Sequence, residues 1–226
     1  MDGERFFMLK IVVFDSGYGG EFFADQLEEE LPVVEIIRVI DWRNADKFLN
    51  NPKEARKLAK QGLRPYIGRV DLIIFANYLL SATSLKYFQR KYKNQRFIGL
   101  NLTKTSLPPK DSTLILSTKA LTKTINYYNF VFHLHRKTKT ITLDSWPAKI
   151  DDGELTLADI REALSSYINR SNRSQEIFLL CSQFYDIEPD LIKLFGRNLK
   201  IHDGFKDTIR EACRILKIRG GVKKLK

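Results

Sequence analysis

Residues 9–20 read LKIVVFDSGYGG, and this stretch decides the fold. Its first half, Leu9–Phe14, is a short β-branched run that predicts a buried strand. Asp15–Gly20 is a polar, glycine-rich turn, and Phe22–Leu31 then repeats apolar residues at helical spacing until Pro32 stops the helix. A strand, a glycine-rich turn and a helix in this order form the first unit of an α/β sheet.

The same alternation continues along the chain. Further strands are predicted at Val33–Ile40, Asp71–Ala76, Phe97–Leu100, Thr113–Ser117, Asn129–His135, Thr138–Leu143, Glu176–Leu180 and Leu199–His202. Helices are predicted at Pro52–Gln61, Ser81–Lys93, Thr156–Ile168, Pro189–Phe195 and Asp207–Leu216. Short continuous apolar strands that alternate with helices are typical of a mostly parallel sheet covered by helices.

The charge balance is the unusual feature of the composition. The chain has 226 residues, with 38 Lys and Arg against 27 Asp and Glu, and a net charge of +11. Its 43% hydrophobic content is that of an ordinary globular protein, and its length allows one large domain or two small ones. Two cysteines exclude a disulfide scaffold and a four-thiolate zinc site. The excess of cations favours a nucleic acid or an acidic membrane as partner, a hypothesis that the motifs must test.

The sequence lacks the signals of membrane insertion and export. No segment approaches the ~20 apolar residues of a membrane span. Met1–Lys10 carries Asp2 and Glu4 and has no long apolar core, so we expect no signal peptide. With few cysteines and no lipidation motif, the expected location is the cytoplasm, without a membrane partner.

The histidines offer little for a metal centre. The chain has three, and His133 and His135 alternate on a predicted strand without an apparent third ligand. We therefore favour one face of an exposed strand over a metal site, and no metal is expected.

The turn Asp15–Gly20 is the first candidate site. It lies where a strand ends and a helix begins, which is where open α/β sheets bind ligands. Its glycines allow the backbone to approach a ligand closely, the helix N-terminus favours an anion, and Asp15 or Ser16 can move a proton. The turn matches neither a P-loop nor a dinucleotide-binding motif. A tight strand-to-helix turn without a ligand is the alternative.

Cys181 is the second candidate, because it also follows a strand and precedes Ser182 and Gln183. A thiol in that place is expected to be exposed near a helix start, which lowers its pKa. A buried core cysteine is the alternative. Cys213 fits that alternative, since it lies within the apolar spacing of the last predicted helix.

Four segments, taken in order, match motifs of one family. Phe14–Gly20 is similar to F-D-S-G-x-G-G, Phe97–Leu100 to P-V-I-G-V, Leu180–Phe184 with Pro189 to G-C-T-H-Y-P, and Asp203 with Thr208–Glu211 to I-D-S-G…T-A-R-E. In this order they resemble the glutamate racemases of the aspartate/glutamate racemase superfamily. The similarity extends over nearly the whole chain.

The resemblance implies two pseudo-symmetric, three-layer α/β domains with mostly parallel sheets and a cleft between them. The domains would comprise residues 1–99 plus 203–226, and residues 100–202. In the family, one cysteine from each domain faces the α-carbon of an amino acid, so that one thiolate removes the α-proton and the other thiol supplies one to the opposite face. Neither a cofactor nor a metal is needed. A small carboxylic or amino acid is the implied ligand, and a homodimer is among the implied assemblies.

The sequence departs from the family at the first cysteine. Aligned without gaps, the family's D-x-x-V-I-A-C-N-T-A-S-A places Asn77 at the cysteine, with Tyr78 and Leu79 after it. A shift by one residue places Ala76 there instead. Neither register provides a thiol.

The remaining site positions are partly kept. By resemblance, Cys181 is the second cysteine, Ser182 replaces a threonine, and Gln183 replaces a histidine. Thr118 matches a family threonine, Leu121 replaces the next one, and residues 41–51 contain no Pro-Tyr-Gly carboxylate-binding triplet. The candidate catalytic residues are thus Cys181 and Asp15, and the candidate substrate contacts are Ser16, Asn77, Thr118, Ser182 and Gln183.

These losses favour a racemase-like protein with a degenerate site. A missing general acid or base costs a rate factor of about 10²–10⁴, which is roughly 3–5 kcal/mol of barrier. We therefore expect no two-base racemisation. The first alternative is an enzyme that uses Cys181 alone on a small carboxylic acid, as a decarboxylase or isomerase, although Tyr78 and Leu79 are bulky for a carboxylate site.

The second alternative is a basic nucleic-acid-binding protein on the same fold. Lys86–Lys110 holds seven Lys and Arg and no acid, and the tail from Lys217 adds five more cations. Four aromatic residues are interleaved with the first segment: Tyr87, Phe88, Tyr92 and Phe97. Such a stripe can follow phosphates and stack bases, whereas aromatics at helical spacing also fit a helix with a solvated basic face.

Overall fold

The described residues form two parallel β-sheets of four strands each. The structure, a computed structural model, describes residues 8–100, 113–124, 127, 138–168 and 176–218. The strands of the first sheet are β1 (Leu9–Asp15), β2 (Val34–Ile40), β3 (Leu72–Phe75) and β4 (Phe97–Gly99), in the order β2-β1-β3-β4. Those of the second are β5 (Thr113–Ser117), β6 (Lys139–Thr142), β7 (Glu176–Leu180) and β8 (Lys200–His202), in the order β6-β5-β7-β8. All pairs are parallel, so the two halves share one topology.

Helices connect the strands and cover the sheets. They are α1 (Tyr18–Glu30), α2 (Ala45–Asn50), α3 (Pro52–Leu63), α4 (Tyr78–Lys91), α5 (Lys119–Thr122), α6 (Trp146–Asp151), α7 (Leu157–Ile168), α8 (Glu188–Phe195) and α9 (Phe205–Leu216). Short 3₁₀ helices occupy Trp42–Asn44 and Ser182–Ile187. The predicted fold class, a two-unit α/β protein with parallel sheets, is confirmed. The predicted strand Asn129–His135, with its two histidines, and the basic tail Arg219–Lys226 lie outside the described residues.

Local capping explains where the helices begin. Asn51 accepts hydrogen bonds from the backbone N–H groups of Lys53 and Glu54, and it starts α3 with Pro52 in the first turn. At α7, Thr156 and Asp159 cap each other. The Asp159 N–H donates to Thr156 Oγ1 at 3.2 Å, and the Thr156 N–H donates to Asp159 Oδ2 at 2.9 Å.

Several predicted helix boundaries are wrong by a few residues. Helix α1 begins at Tyr18 rather than Phe22, because the glycines of the turn belong to its first turn. Helix α3 continues through Gly62 to Leu63 rather than ending before it. Helix α4 begins at Tyr78 rather than Ser81, because Asn77 serves as its N-cap.

Alternate side chains of β1 build two cores on opposite faces of the first sheet. Val12 and Phe14 pack with α3, α4 and the ring of Phe88 on one face. Ile11 and Val13 pack on the other face with α1 and α9. Helix α9 therefore covers the first sheet although it follows the second one in sequence. Cys213 is buried in this second core, which confirms its predicted core position.

The second sheet contributes to two cores as well. One face packs against α6, α7 and α8 around Trp146, Leu164 and Phe184. The opposite face supplies Ile115 and Phe178 to the core that already contains β1, α1 and α9. An apolar cluster therefore joins the two halves. The division into residues 1–99 plus 203–226 and residues 100–202 stays a prediction.

Within the described part of the chain, no helix combines the length and apolarity needed to cross a membrane.

Candidate functional site

The candidate residues follow the central strands of both sheets at their carboxyl ends. Asp15 ends β1, Asn77 follows β3, Thr118 follows β5 and Cys181 follows β7. In parallel sheets these ends lie at one edge, where ligands of α/β proteins bind. All four residues are buried. The two halves of the chain therefore bring their polar ends together at one place.

Asp15 is the centre of a hydrogen-bonded cluster that joins the two halves. The Ser16 backbone N–H donates to Asp15 Oδ1 at 2.7 Å, and Asn77 Nδ2 donates to the same oxygen at 2.9 Å. From the second half, Ser182 Oγ donates to Asp15 Oδ2 at 2.9 Å. Both carboxylate oxygens thus have partners, and Asp15 is completely inaccessible to solvent.

Burial shifts the protonation of this carboxyl group. It raises the pKa of Asp15 from 3.8 to about 7, against the opposing effect of the three hydrogen bonds. The nearby Asp151 carboxylate raises the pKa further. Asp15 therefore exchanges a proton near neutral pH, which an ordinary surface aspartate does not do.

Asn77, which the ungapped alignment matched to the first family cysteine, forms hydrogen bonds at both ends of its side chain. Its Nδ2 donates to Asp15, and its Oδ1 accepts the backbone N–H of Leu80 at 2.9 Å. The second bond is the N-cap of α4. An amide neither gains nor loses a proton near neutral pH, so Asn77 organises the site without proton transfer.

The structure corrects the expectation for Cys181. The thiol was predicted to be exposed with a lowered pKa, but it is buried, and its Sγ donates to Gln183 Oε1 at 3.0 Å. Burial raises the pKa of Cys181 well above its ordinary value, and the Asp15 and Asp151 carboxylates raise it further. The side chain packs in the core of the second half with Phe184, so the thiol is not held at an open helix start.

Two further predicted contacts, Ser16 and Thr118, differ in their environments. Ser16 is fully buried, and its Oγ has no hydrogen-bond partner among the described residues. A buried hydroxyl without a partner is available to a ligand. Thr118 instead caps α5, because its Oγ1 accepts the Leu121 N–H at 3.4 Å. Leu121, where the family has a second threonine, is buried in the apolar cluster between the halves.

The glycine-rich turn presses directly against the segment after β7. A Cβ at Gly19 would overlap the side chain and backbone of Ser182. A Cβ at Gly17 would lie 2.6 Å from Gln183 Nε2 and 2.8 Å from Asp151 Oδ2. These glycines therefore allow the two halves to approach each other, where the sequence had suggested the approach of a ligand.

Asp151, the last residue of α6, is a site residue that sequence reasoning missed. Its Oδ1 accepts the backbone N–H of Tyr18 at 3.2 Å, at the start of α1. Burial raises the pKa of Asp151, while the Tyr18 N–H and the Gln183 side chain lower it. No local signal identifies this residue, because its partner is 133 positions away in sequence.

Among the described side chains after β2, Asp41, Asn44 and Lys47 form hydrogen bonds with one another. Asn44 Nδ2 donates to both Asp41 oxygens, at 2.9 and 3.1 Å, and Asn44 Oδ1 accepts from Lys47 Nζ at 2.9 Å. Trp42 is 42% exposed and packs edge-on against Tyr18, with ring centroids 4.8 Å apart. The polar groups named here bind one another, and the ring is at the surface.

The basic segment Lys86–Lys110 is described only as far as residue 100. Phe88 and Phe97 are buried in the core beneath the first sheet, so they cannot stack on bases. Tyr87 is partly exposed, and Lys91 Nζ lies 5.5 Å from its ring centroid. Nucleic-acid binding stays a prediction.

No protein-family profile matches the chain, and no curated protein matches it. Solved structures do. The glutamate racemase isoform RacE1 from Bacillus anthracis has a TM-score of 0.76 at 17% identity, over 95% of this chain and 83% of that chain. The glutamate racemase from Francisella tularensis, solved with D-glutamate, has a TM-score of 0.74 at 22% identity, over 97% and 85%. The aspartate racemase from Picrophilus torridus has a TM-score of 0.63 at 16% identity, over 91% and 93%.

The chain has the glutamate racemase fold. At these identities the similarity shows the fold and not the activity. Within this racemase fold, the chain combines the glycine-rich turn and Cys181 with an asparagine at position 77 and a closed polar contact between the halves. The chemistry must therefore be judged from these side chains.

Proposed function

We propose that this chain is a racemase-fold binding protein that does not carry out two-base amino-acid racemisation. Its degenerate site keeps the polar cluster around Asp15 and lacks a pair of proton-exchanging thiols. A small carboxylic or amino acid is the ligand of this site, and the Ser16 hydroxyl, buried and without a described partner, is a contact for it.

The observation that carries the proposal is the double use of Asn77. Its amide nitrogen is bound by Asp15 and its amide oxygen by the N-terminus of α4. A two-base mechanism needs a group at this place that can take a proton from the α-carbon or return one to it. Asn77 is fixed as a capping and bridging residue, and an amide supplies neither function.

The environment of Cys181 supports the same conclusion. The buried thiol has a raised pKa, and its proton is directed to Gln183 Oε1. Efficient proton transfer needs a pKa near the operating pH, and the nucleophilic or basic form of cysteine is the thiolate. The Gln183 side chain accepts this hydrogen bond as a neutral amide, and the backbone N–H groups of Gln183 and Phe184 lower the pKa by less than burial raises it.

The test is α-proton exchange in D₂O, followed by NMR on the L and D forms of glutamate and aspartate. We expect no exchange above the buffer rate for the wild type. Cys181→Ala is compared with Cys213→Ala, a matched control in the core of the other half. Exchange that is abolished by Cys181→Ala and retained by Cys213→Ala would overturn the proposal.

One observation favours a second candidate, an enzyme that uses Cys181 with Asp15. The pKa of Asp15 is raised to about 7, so its carboxyl group can donate or accept a proton at neutral pH. Two observations are against it. The Tyr78 hydroxyl donates to the Asp203 carbonyl, and Leu79 is a buried apolar residue, so neither side chain is available to bind a carboxylate. Turnover of a carboxylic acid with a pH profile near 7 that is lost in Asp15→Asn would select this candidate.

A further inference from the structure

A cavity of about 650 Å³ lies between the two halves, away from the cluster around Asp15. The first half contributes the start of α3 and the second turn of α4, and the second half contributes α5 and Asp144 after β6. None of Asp15, Asn77 and Cys181 lines it. The volume is within the range of small-molecule sites, roughly 300–1,000 Å³.

Arg56 presents a fixed cation on the first-half wall. Its Nε donates to Ser84 Oγ at 3.1 Å, and its Nη2 donates to the Thr83 carbonyl at 2.6 Å. The guanidinium also lies 5.0 Å from the ring centroid of Tyr87. The guanidinium is therefore fixed through Nε and Nη2. Among the described residues, Nη1 has no hydrogen bond, so it can donate to a ligand. Such preorganisation reduces the entropy lost on binding.

Lys119 and Lys123 supply two more cations on the second-half wall. They are four positions apart at α5, which places them on the same side of the helical turn. Both are exposed, and within the described part of the chain neither side chain forms an ion pair. Asp144 also lines the cavity, and its Oδ1 accepts the backbone N–H of Lys119 at 2.7 Å. Among the described residues, the lining therefore carries three cations and one carboxylate.

The remaining walls are uncharged. Pro52, Ala82 and Ala120 line the cavity with apolar surface. A ligand that fits has an anionic group for the cations and an uncharged part for these walls. A phosphate group carries about −1.5 to −2 charges at neutral pH, which matches the net excess of two cations, and the arginine fork suits its oxygens.

We propose that this cavity binds a phosphorylated small molecule, with its phosphate between Arg56, Lys119 and Lys123. The site uses residues separate from the Asp15 cluster, so it stands whether or not the chain racemises an amino acid. Because Arg56 belongs to the first half and the lysines to the second, the bound phosphate stabilises the contact between the halves.

The test is calorimetric titration of the full chain with pyrophosphate and with ADP, at low and at physiological salt. We expect saturable binding of one molecule per chain, weakened at least tenfold in the double variant Lys119→Gln/Lys123→Gln. Lys86→Gln is the matched control, because Lys86 is exposed on α4 and does not line the cavity. Arg56 is left intact, since its loss could disturb α4.

Three outcomes would overturn the proposal. One is the absence of saturable binding of either probe at low salt. Another is that Lys86→Gln weakens binding as much, per positive charge removed, as Lys119→Gln/Lys123→Gln does. This result would indicate diffuse attraction to a basic surface. The third is binding of a single-stranded oligonucleotide that leaves pyrophosphate and ADP unbound, which would assign the cations to nucleic acid. Circular dichroism of the double variant establishes that a loss of binding is not a loss of fold.

Discussion

The buried Asp15 carboxyl group makes the stability of this protein depend on pH. Its pKa is 3.8 in an ordinary setting and about 7 in the folded chain, so the folded state holds the proton more tightly than the unfolded state. The contribution of Asp15 to the free energy of unfolding is fully present below pH 3.8 and is lost as the pH rises toward about 7. At about 1.4 kcal/mol per pKa unit, the loss from this residue is roughly 4 kcal/mol.

Asp15→Asn removes the charge while the hydrogen-bonded cluster can be kept. The new Oδ1 accepts from the Ser16 N–H and Asn77 Nδ2, as the carboxylate does. The new Nδ2 faces Ser182 Oγ, which can accept from it and turn its proton toward Gln183 Oε1, 3.3 Å away. We therefore expect the variant to equal the wild type near pH 4 and to be more stable by up to about 4 kcal/mol at pH 8.

Urea unfolding at half-unit steps from pH 4 to pH 8 measures this difference. Asp152→Asn is the control, because it removes an exposed carboxylate that follows α6 and should leave the pH dependence unchanged. A difference between Asp15→Asn and the wild type that does not vary with pH would refute the raised pKa. If Asp15→Asn instead loses stability relative to the wild type as the pH rises, the ionised Asp15 carboxylate stabilises the folded state.

Three further predictions concern single residues of the site and fold. Gly19→Ala should lower the free energy of unfolding in urea by about 3 kcal/mol, because the new Cβ would overlap the Ser182 backbone. Gly62→Ala is the comparison and should cost less, because its tightest contact is the edge of the Phe14 ring at 3.0 Å. Cys181 should react with iodoacetamide at pH 8 no faster than Cys213, as followed by peptide mass spectrometry, since burial raises its pKa; rapid labelling would contradict this. Thr156→Ala should destabilise the chain by about 1 kcal/mol, because α7 loses its reciprocal cap.

The fold was predictable because its signals are local. β-branched runs such as Leu9–Phe14 specify buried strands by themselves, and the bounds of β5 and β7 agree with those predicted from sequence. The capping pair Thr156 and Asp159 lies three positions apart in sequence, so its signal is local as well. Helix starts were less accurate where the cap depends on tertiary structure, as at Asn77, whose side chain also binds Asp15 from β1.

The structure brings some of the predicted site residues into contact, and it contradicts the expected environment of Cys181. The order of motifs placed Asp15, Asn77 and Ser182 together, and the structure brings these three into one hydrogen-bonded cluster. The predicted exposure and lowered pKa of Cys181 were wrong, because the burial of this thiol depends on how the 3₁₀ helix after β7 packs. Asp151 reaches the start of α1 from the opposite half, and no pattern in its own neighbourhood indicates that contact.

Asn77 links helix α4 to the polar cluster around Asp15. Asn77 caps α4 through one atom and holds Asp15 through the other, so a single side chain serves both helix and site. A cysteine there is a much weaker capping group and hydrogen-bond donor. Asn77→Cys should therefore lose stability, by about 1 kcal/mol or more, without gaining α-proton exchange, because Cys181 keeps its buried, protonated thiol. Exchange acquired by Asn77→Cys and absent from Asn77→Ser would instead show that one missing thiol was all that separated this site from racemisation.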